Sequence, residues 1–226
     1  MGRRVYPRTV VEEAPSHDGR PCFAAWEMVE TDPDKQTPPD AYASNRPKWS
    51  IQLYYTTPAA GDPEHVKSTA KRIEESTLQA RSRREARSRV EVHGLPLPAD
   101  TPEAERVALC MAHHRAEIAA RNASGTADFF IPPTFEDLWQ RRIVVIVDDG
   151  QGAGEDGGAY LAVFFDMTPE AAAESPGGPA HHIVRLTGRD LGDGLQRFTS
   201  SIEWFYDSYV ADGTIYSDLE KWRSEA

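Results

Sequence analysis

Apolar and polar positions alternate most cleanly in "KWSIQLYY" (48–55), where Trp49, Ile51, Leu53 and Tyr55 share one face and Ser50 and Gln52 the other. Successive strand side chains point to opposite faces, so a period of two predicts a half-buried strand. Two further apolar runs, "TVVEE" (9–13) and "CFAAWEMVE" (22–30), flank "APSHDGRP", whose Asp18-Gly19 is a hairpin turn signal. Strands are also predicted over 143–148, 159–166 and 181–188.

Helical spacing takes over at 64–93, which has no Gly or Pro and carries a thin stripe of Val66, Ala70, Ile73, Thr77 and Leu78. The clearest helix is 101–121, with Thr101 as N-cap, Pro102 at its first position, and a core face of Ala104, Val107, Ala108, Met111 and Ile118. Thr134 and Asp137 suit a short capped helix. A last helix starts at Ser200, with Glu203 completing a capping box and Ile202, Phe205, Tyr206 and Tyr209 on a buried face. Breaks at 56–63 and 94–102 divide the chain into an N-terminal β-rich region (1–63), a basic helix or linker (64–93) and an α+β region (94–226). The expected fold is α+β, an antiparallel β-sheet with packed helices.

Composition bears mainly on partners. The net charge of −11 argues against general binding to nucleic acid or anionic membrane. The charge is uneven: 64–93 holds 8 basic and 5 acidic residues, and 94–226 holds 10 basic and 22 acidic. "RSRREARSR" supplies Arg81, Arg83, Arg84, Arg87 and Arg89, which read as a solvated face or as a cover for the acidic body. No apolar run is long enough to cross a membrane as a helix, the start has no signal-peptide core, and Tyr6 breaks the myristoylation pattern after Gly2. Two cysteines, Cys22 and Cys110, make neither a disulfide framework nor a zinc pattern, so a cytoplasmic protein is expected.

Candidate chemistry is sparse. Gly152, Gly154 and Gly157 match G-x-G-x-x-G, but a strand follows where a dinucleotide site needs a helix. Asp148, Asp149, Glu155 and Asp156 would repel phosphate, so 149–158 reads as a turn between strands. His113 and Glu117 stand four apart on a helix, and His114 with Ile118 likewise, but two ligands are too few for a metal. The rings of His181 and His182 would point to opposite faces of their strand. Cys110 reads as core. No catalytic residue, metal or cofactor is expected.

The order from "IPPTFEDLW" through "DGGAYLAVFFD", "HHIVRL" and "GRDLGDG" to the helix from Ser200 to Asp212 resembles the SUKH superfamily of bacterial immunity proteins, over roughly residues 130–215. Gly158, Tyr160 and Asp166 fit that family's glycine- and aromatic-bearing strand ending in Asp. The resemblance implies a non-catalytic protein-binding module that neutralises a toxin. An acidic body suits a basic partner, with Asp190, Asp193, Glu203 and Asp207 near the contact. The alternatives are an assembly protein of a phage or injection particle, and an enzyme without a recognisable motif.

Overall fold

The computed structural model describes residues 8–28, 49–78, 88–123, 138–139, 143–147, 160–165, 181–186 and 191. Strands β1 (Arg8–Glu13) and β2 (Cys22–Met28) form the expected hairpin around Asp18-Gly19. Strand β3 (Trp49–Tyr55) follows, then a 3-10 turn (Pro58–Gly61) and helix α1 (Pro63–Leu78). Next come β4 (Ser88–Gly94) and helix α2 (Glu103–Ala123). Strands β5 (Leu138–Trp139), β6 (Ile143–Val147), β7 (Tyr160–Phe165) and β8 (His181–Leu186) complete the described elements.

All eight strands belong to one sheet, ordered β1-β2-β4-β3-β6-β7-β8, with the short β5 pairing β3. The fold class is α+β. The sheet is antiparallel at its flanks, but β3 runs parallel to both β4 and β6. The cause is connectivity: α1 carries the chain from β3 to β4, and α2 lies between β4 and β6. Parallel neighbours require crossovers of that length, whereas the antiparallel pairs β1–β2, β6–β7 and β7–β8 join strands consecutive in the chain; the antiparallel pair β2–β4 is not consecutive.

The alternation in β3 places the two helices on opposite faces. Ile51, Leu53 and Tyr55 join Val66, Ala70 and Ile73 of α1 in one core, with Val90 and Val92 of β4 and Val145 of β6. Tyr54 joins Val107, Cys110 and Met111 of α2 in a second core, with Val144, Ile146, Leu161 and Val163. A sheet covered on both faces buries its central strands on both sides, which is why all five residues of β6 are apolar and buried.

Several expectations shift. Residues 64–93 are not one helix: α1 ends at Leu78 and 88–94 are a strand whose Val90 and Val92 point into the first core. Arg89 is accordingly buried and paired with Glu91, not part of a solvated face. Residues 50–55 are buried on both faces rather than one, because α2 packs on Tyr54 on the side that also holds Ser50 and Gln52. On α2 the buried stripe runs Val107, Cys110, Met111, His114 and Glu117, while Ala104 and Ala108 are exposed. The Thr101 hydroxyl donates to the Pro98 carbonyl instead of capping the helix. The short helix expected from Thr134 does not run on through Leu138 and Trp139, which form β5 by pairing with Trp49 and Ser50 of β3. The glycine-acid loop, residues 134–137 and the helix from Ser200 lie outside the described residues.

Gly94 closes the end of β4. A Cβ there would lie 2.2 Å from the Ala60 carbonyl oxygen and 2.8 Å from Val66 Cγ2. The chain after β4 then runs beside the chain after β3, with Leu95 N donating to Tyr55 O and Leu97 N to Thr56 O. In open α/β sheets, ligands favour the crevice beyond adjacent parallel strands whose connections leave to opposite faces. Here that crevice is packed with the protein's own backbone.

Candidate metal centre

Polar side chains gather instead beside this crevice, on the α2 side. The β1–β2 turn contributes first. Gly19 adopts φ 74, a left-handed conformation that a side chain would strain. Asp18 Oδ1 accepts from Arg20 N at 3.1 Å and from the Ser16 hydroxyl at 3.0 Å, which is the local bonding that makes Asp a turn former. With Oδ1 used in the turn, Asp18 Oδ2 pairs with Arg20 Nε at 3.1 Å and also faces His113.

Helix α2 brings His113 and Glu117, one helical turn apart, toward that turn. His113 Nε2 lies 3.2 Å from Asp18 Oδ2 and 4.0 Å from Glu117 Oε1. His17 Nδ1 lies 2.7 Å from Glu117 Oε1, which also accepts from His17 N at 2.9 Å and the Ser16 hydroxyl at 2.8 Å. Donor atoms of His17, Asp18, His113 and Glu117 all lie within 4.8 Å of one another. His17 and Asp18 are exposed and form the outer rim, while the His113 and Glu117 side chains are 7% and 2% exposed.

The sheet supplies the floor. The Tyr54 hydroxyl is 3.3 Å from His113 Nδ1. The Tyr54 ring stacks on His93, centroids 5.1 Å apart, and meets His113 and His114 edge-on. His93 in turn lies beside Cys22, with Nε2 3.8 Å from Sγ. Cys22, Glu91 and His93 also come within 4.8 Å of one another. Glu91, however, accepts two bonds from Arg89, at 3.0 and 2.6 Å. That buried positive charge disfavours a cation. Arg20 Nε likewise lies 3.1 Å from Asp18 Oδ2, but its side chain is 45% exposed and free to turn into solvent, so the outer four residues are the better metal set. Gln52 donates to the Ser50 hydroxyl at 3.0 Å, and its buried Oε1 meets no donor among the described residues.

Burial pushes His113 below its ordinary value, against the opposing pull of Asp18 and Glu117, so the ring is neutral near pH 7. Partial burial favours the protonated form of Asp18. The Arg20 N–H, the Ser16 hydroxyl and the charges of His113 and Arg20 outweigh it and hold the carboxyl below its usual range. Burial, reinforced by nearby Cys110 and Glu117, raises the Tyr54 phenol well above its ordinary value. The Cys110 thiol is also raised by burial, which makes it inert as a nucleophile.

Sequence reasoning paired His113 with Glu117 and stopped at two ligands. The other two donors stand 95 or more residues upstream and read only as a turn. No local motif links "SHDG" to "HHRAE"; the link is the path of α2 across the sheet toward the first hairpin. Of the residues expected near a protein partner, Asp190, Asp193, Glu203 and Asp207 lie outside the described residues. Leu191 between them is buried in the first core. The histidines at 181 and 182 pair with Phe165 and Phe164 in the sheet, and their side chains are likewise outside the description.

Comparison of the chain with protein-family models, with characterised proteins and with solved structures finds no match.

Proposed function

We propose that the protein binds a divalent transition-metal ion, zinc in the first instance, between the β1–β2 turn and α2. The ligands are His17, Asp18, His113 and Glu117. The observation that carries this reading is the convergence of two imidazoles and two carboxylates, from segments far apart in sequence, on one point. Around a tetrahedral zinc with bonds near 2 Å, donor atoms stand about 3.3 Å apart. The separations of 2.7, 3.2 and 4.0 Å lie on either side of that value, and all four donors lie within 4.8 Å, so the widest pairs must close for all four to bind one ion. Mixed nitrogen and oxygen donors suit Zn, Mn, Fe or Co better than Mg or Ca, which favour oxygen alone.

Four protein ligands fill a tetrahedral shell and leave no position for a reacting water, the pattern of structural rather than catalytic zinc. The ion's role is therefore to cross-link the N-terminal hairpin to the helical layer. Zinc titration of the chelated protein by calorimetry, with magnesium as control, tests this. The expected result is one zinc per chain, lost in His113→Ala and in Glu117→Gln. No binding, with the wild type as stable in chelator as in zinc, would reduce the cluster to an ordinary set of hydrogen bonds. The protein-binding role is independent of the ion. It rests on the residue order of 130–215 and the acidic balance, and toxin neutralisation remains a proposal on that ground alone.

A further inference from the structure

His113 uses both ring nitrogens: Nε2 faces Asp18 Oδ2 and Nδ1 faces the Tyr54 hydroxyl. A carboxylate only accepts. Without an ion, Nε2 therefore carries the proton, and Nδ1 of the neutral ring accepts from the Tyr54 O–H. An ion bound at Nε2 needs the lone pair there. The ring proton must then reside on Nδ1, and the same contact reverses, Nδ1–H donating to the phenol oxygen. A hydroxyl can play either part without moving, because it both donates and accepts.

We propose that Tyr54 is the positioning residue of the metal centre, holding the His113 imidazole in one plane through both tautomers so that an ion can replace the proton without moving the ring. This rests on the metal reading above. Tyr54 is itself held firmly enough for the task. It is fully buried, lies on β3 in the middle of the sheet, and is stacked on His93 at an interplanar angle of 16°. Its edge-on contact with His113, at 5.5 Å and 79°, sets the orientation of the imidazole. Partners on the far nitrogen of metal-bound histidines commonly set metal affinity by about 10- to 100-fold.

Tyr54→Phe keeps the ring, the stacking and the packing, and removes only the hydroxyl. Two readouts separate positioning from a merely structural role: the zinc Kd from competition with a chelating indicator, and the ¹⁵N shifts of the His113 ring in the zinc-bound protein. The expected result is zinc affinity weaker by about 10- to 100-fold, a His113 Nδ1 resonance shifted from that of the wild type, and a thermal melt in chelator lowered only by the loss of one buried hydrogen bond. An unchanged zinc Kd and an unchanged Nδ1 resonance would overturn the positioning role while leaving the metal site intact. A wild-type protein that binds no zinc would overturn the metal reading, and the positioning role with it. The two failures are therefore distinguishable in one set of titrations.

Discussion

At the scale of single residues, Gly94 and His113 are the most exposed to test. A side chain at Gly94 collides with the Ala60 carbonyl, which is backbone and cannot rotate away. Gly94→Ala should therefore cost about 1–3 kcal/mol, the usual range for overpacking, measured by urea denaturation. An unchanged midpoint would mean that the 3-10 turn gives way freely. His113 carries a pH dependence. Its folded pKa lies below the ordinary 6.5, so below that pH the unfolded chain binds a proton that the folded chain refuses. Stability of the metal-free protein is then full above pH 6.5 and falls as pH drops through the window beneath it. A second decline begins below 3.8, where Asp18 starts to protonate in the unfolded chain but not yet in the fold. Comparing denaturation midpoints at pH 7.5 and pH 5.5, about one unit on either side of the ordinary histidine value, isolates the first effect when His113→Gln is run beside wild type. The variant should show the smaller loss, and an equal loss in both would assign the effect to another histidine.

At the scale of elements, six of the eight described strands were legible and the helices only partly so. β1, β2, β3, β6, β7 and β8 fall within a residue or two of their expected bounds, because alternation or a dense apolar run marks each. The stretch 64–93 misled because its arginines favour helix locally, while Val90 and Val92 form a strand only by pairing with β2 and β3. Helix α2 was placed well, but its buried face was sought among apolar residues. That search passes over His114 and Glu117, which are buried because they meet Tyr54 and the first turn. The candidate centre was illegible for the same reason, since polar burial has no periodic signature when the partner is distant in sequence. Helix α1 offers the plainer test of packing. Ile73 is fully buried against the sheet, so Ile73→Ala should cost about 2–5 kcal/mol in chemical denaturation. A loss far below that would mean that the sheet collapses onto the space left behind.

At the scale of the whole molecule, an ion that binds only the folded state adds stability by mass action. At free zinc one hundred times Kd the gain is about 2.7 kcal/mol. Thermal unfolding in zinc should therefore run higher than in chelator, and the difference should vanish in His113→Ala. A difference that persists in that variant would place the zinc elsewhere. No helix among the described residues is long and apolar enough to cross a membrane.

The order of strands has a consequence for how the chain is made. The hairpin β1–β2 is complete by Met28, yet its neighbour in the sheet among the described residues, β4, begins at Ser88. On the ribosome the first hairpin must therefore wait, with one edge open, while 59 residues are synthesised between them. Its turn waits longer still, for Glu117 on α2. An isolated hairpin is marginal in water, so it should form for good only once the crossover through α1 has delivered β4. Pulse-labelled hydrogen exchange during refolding would then find the amides of β1 among the last to gain protection. If they were protected before those of β3 and β4, the hairpin would have nucleated the sheet rather than joined it.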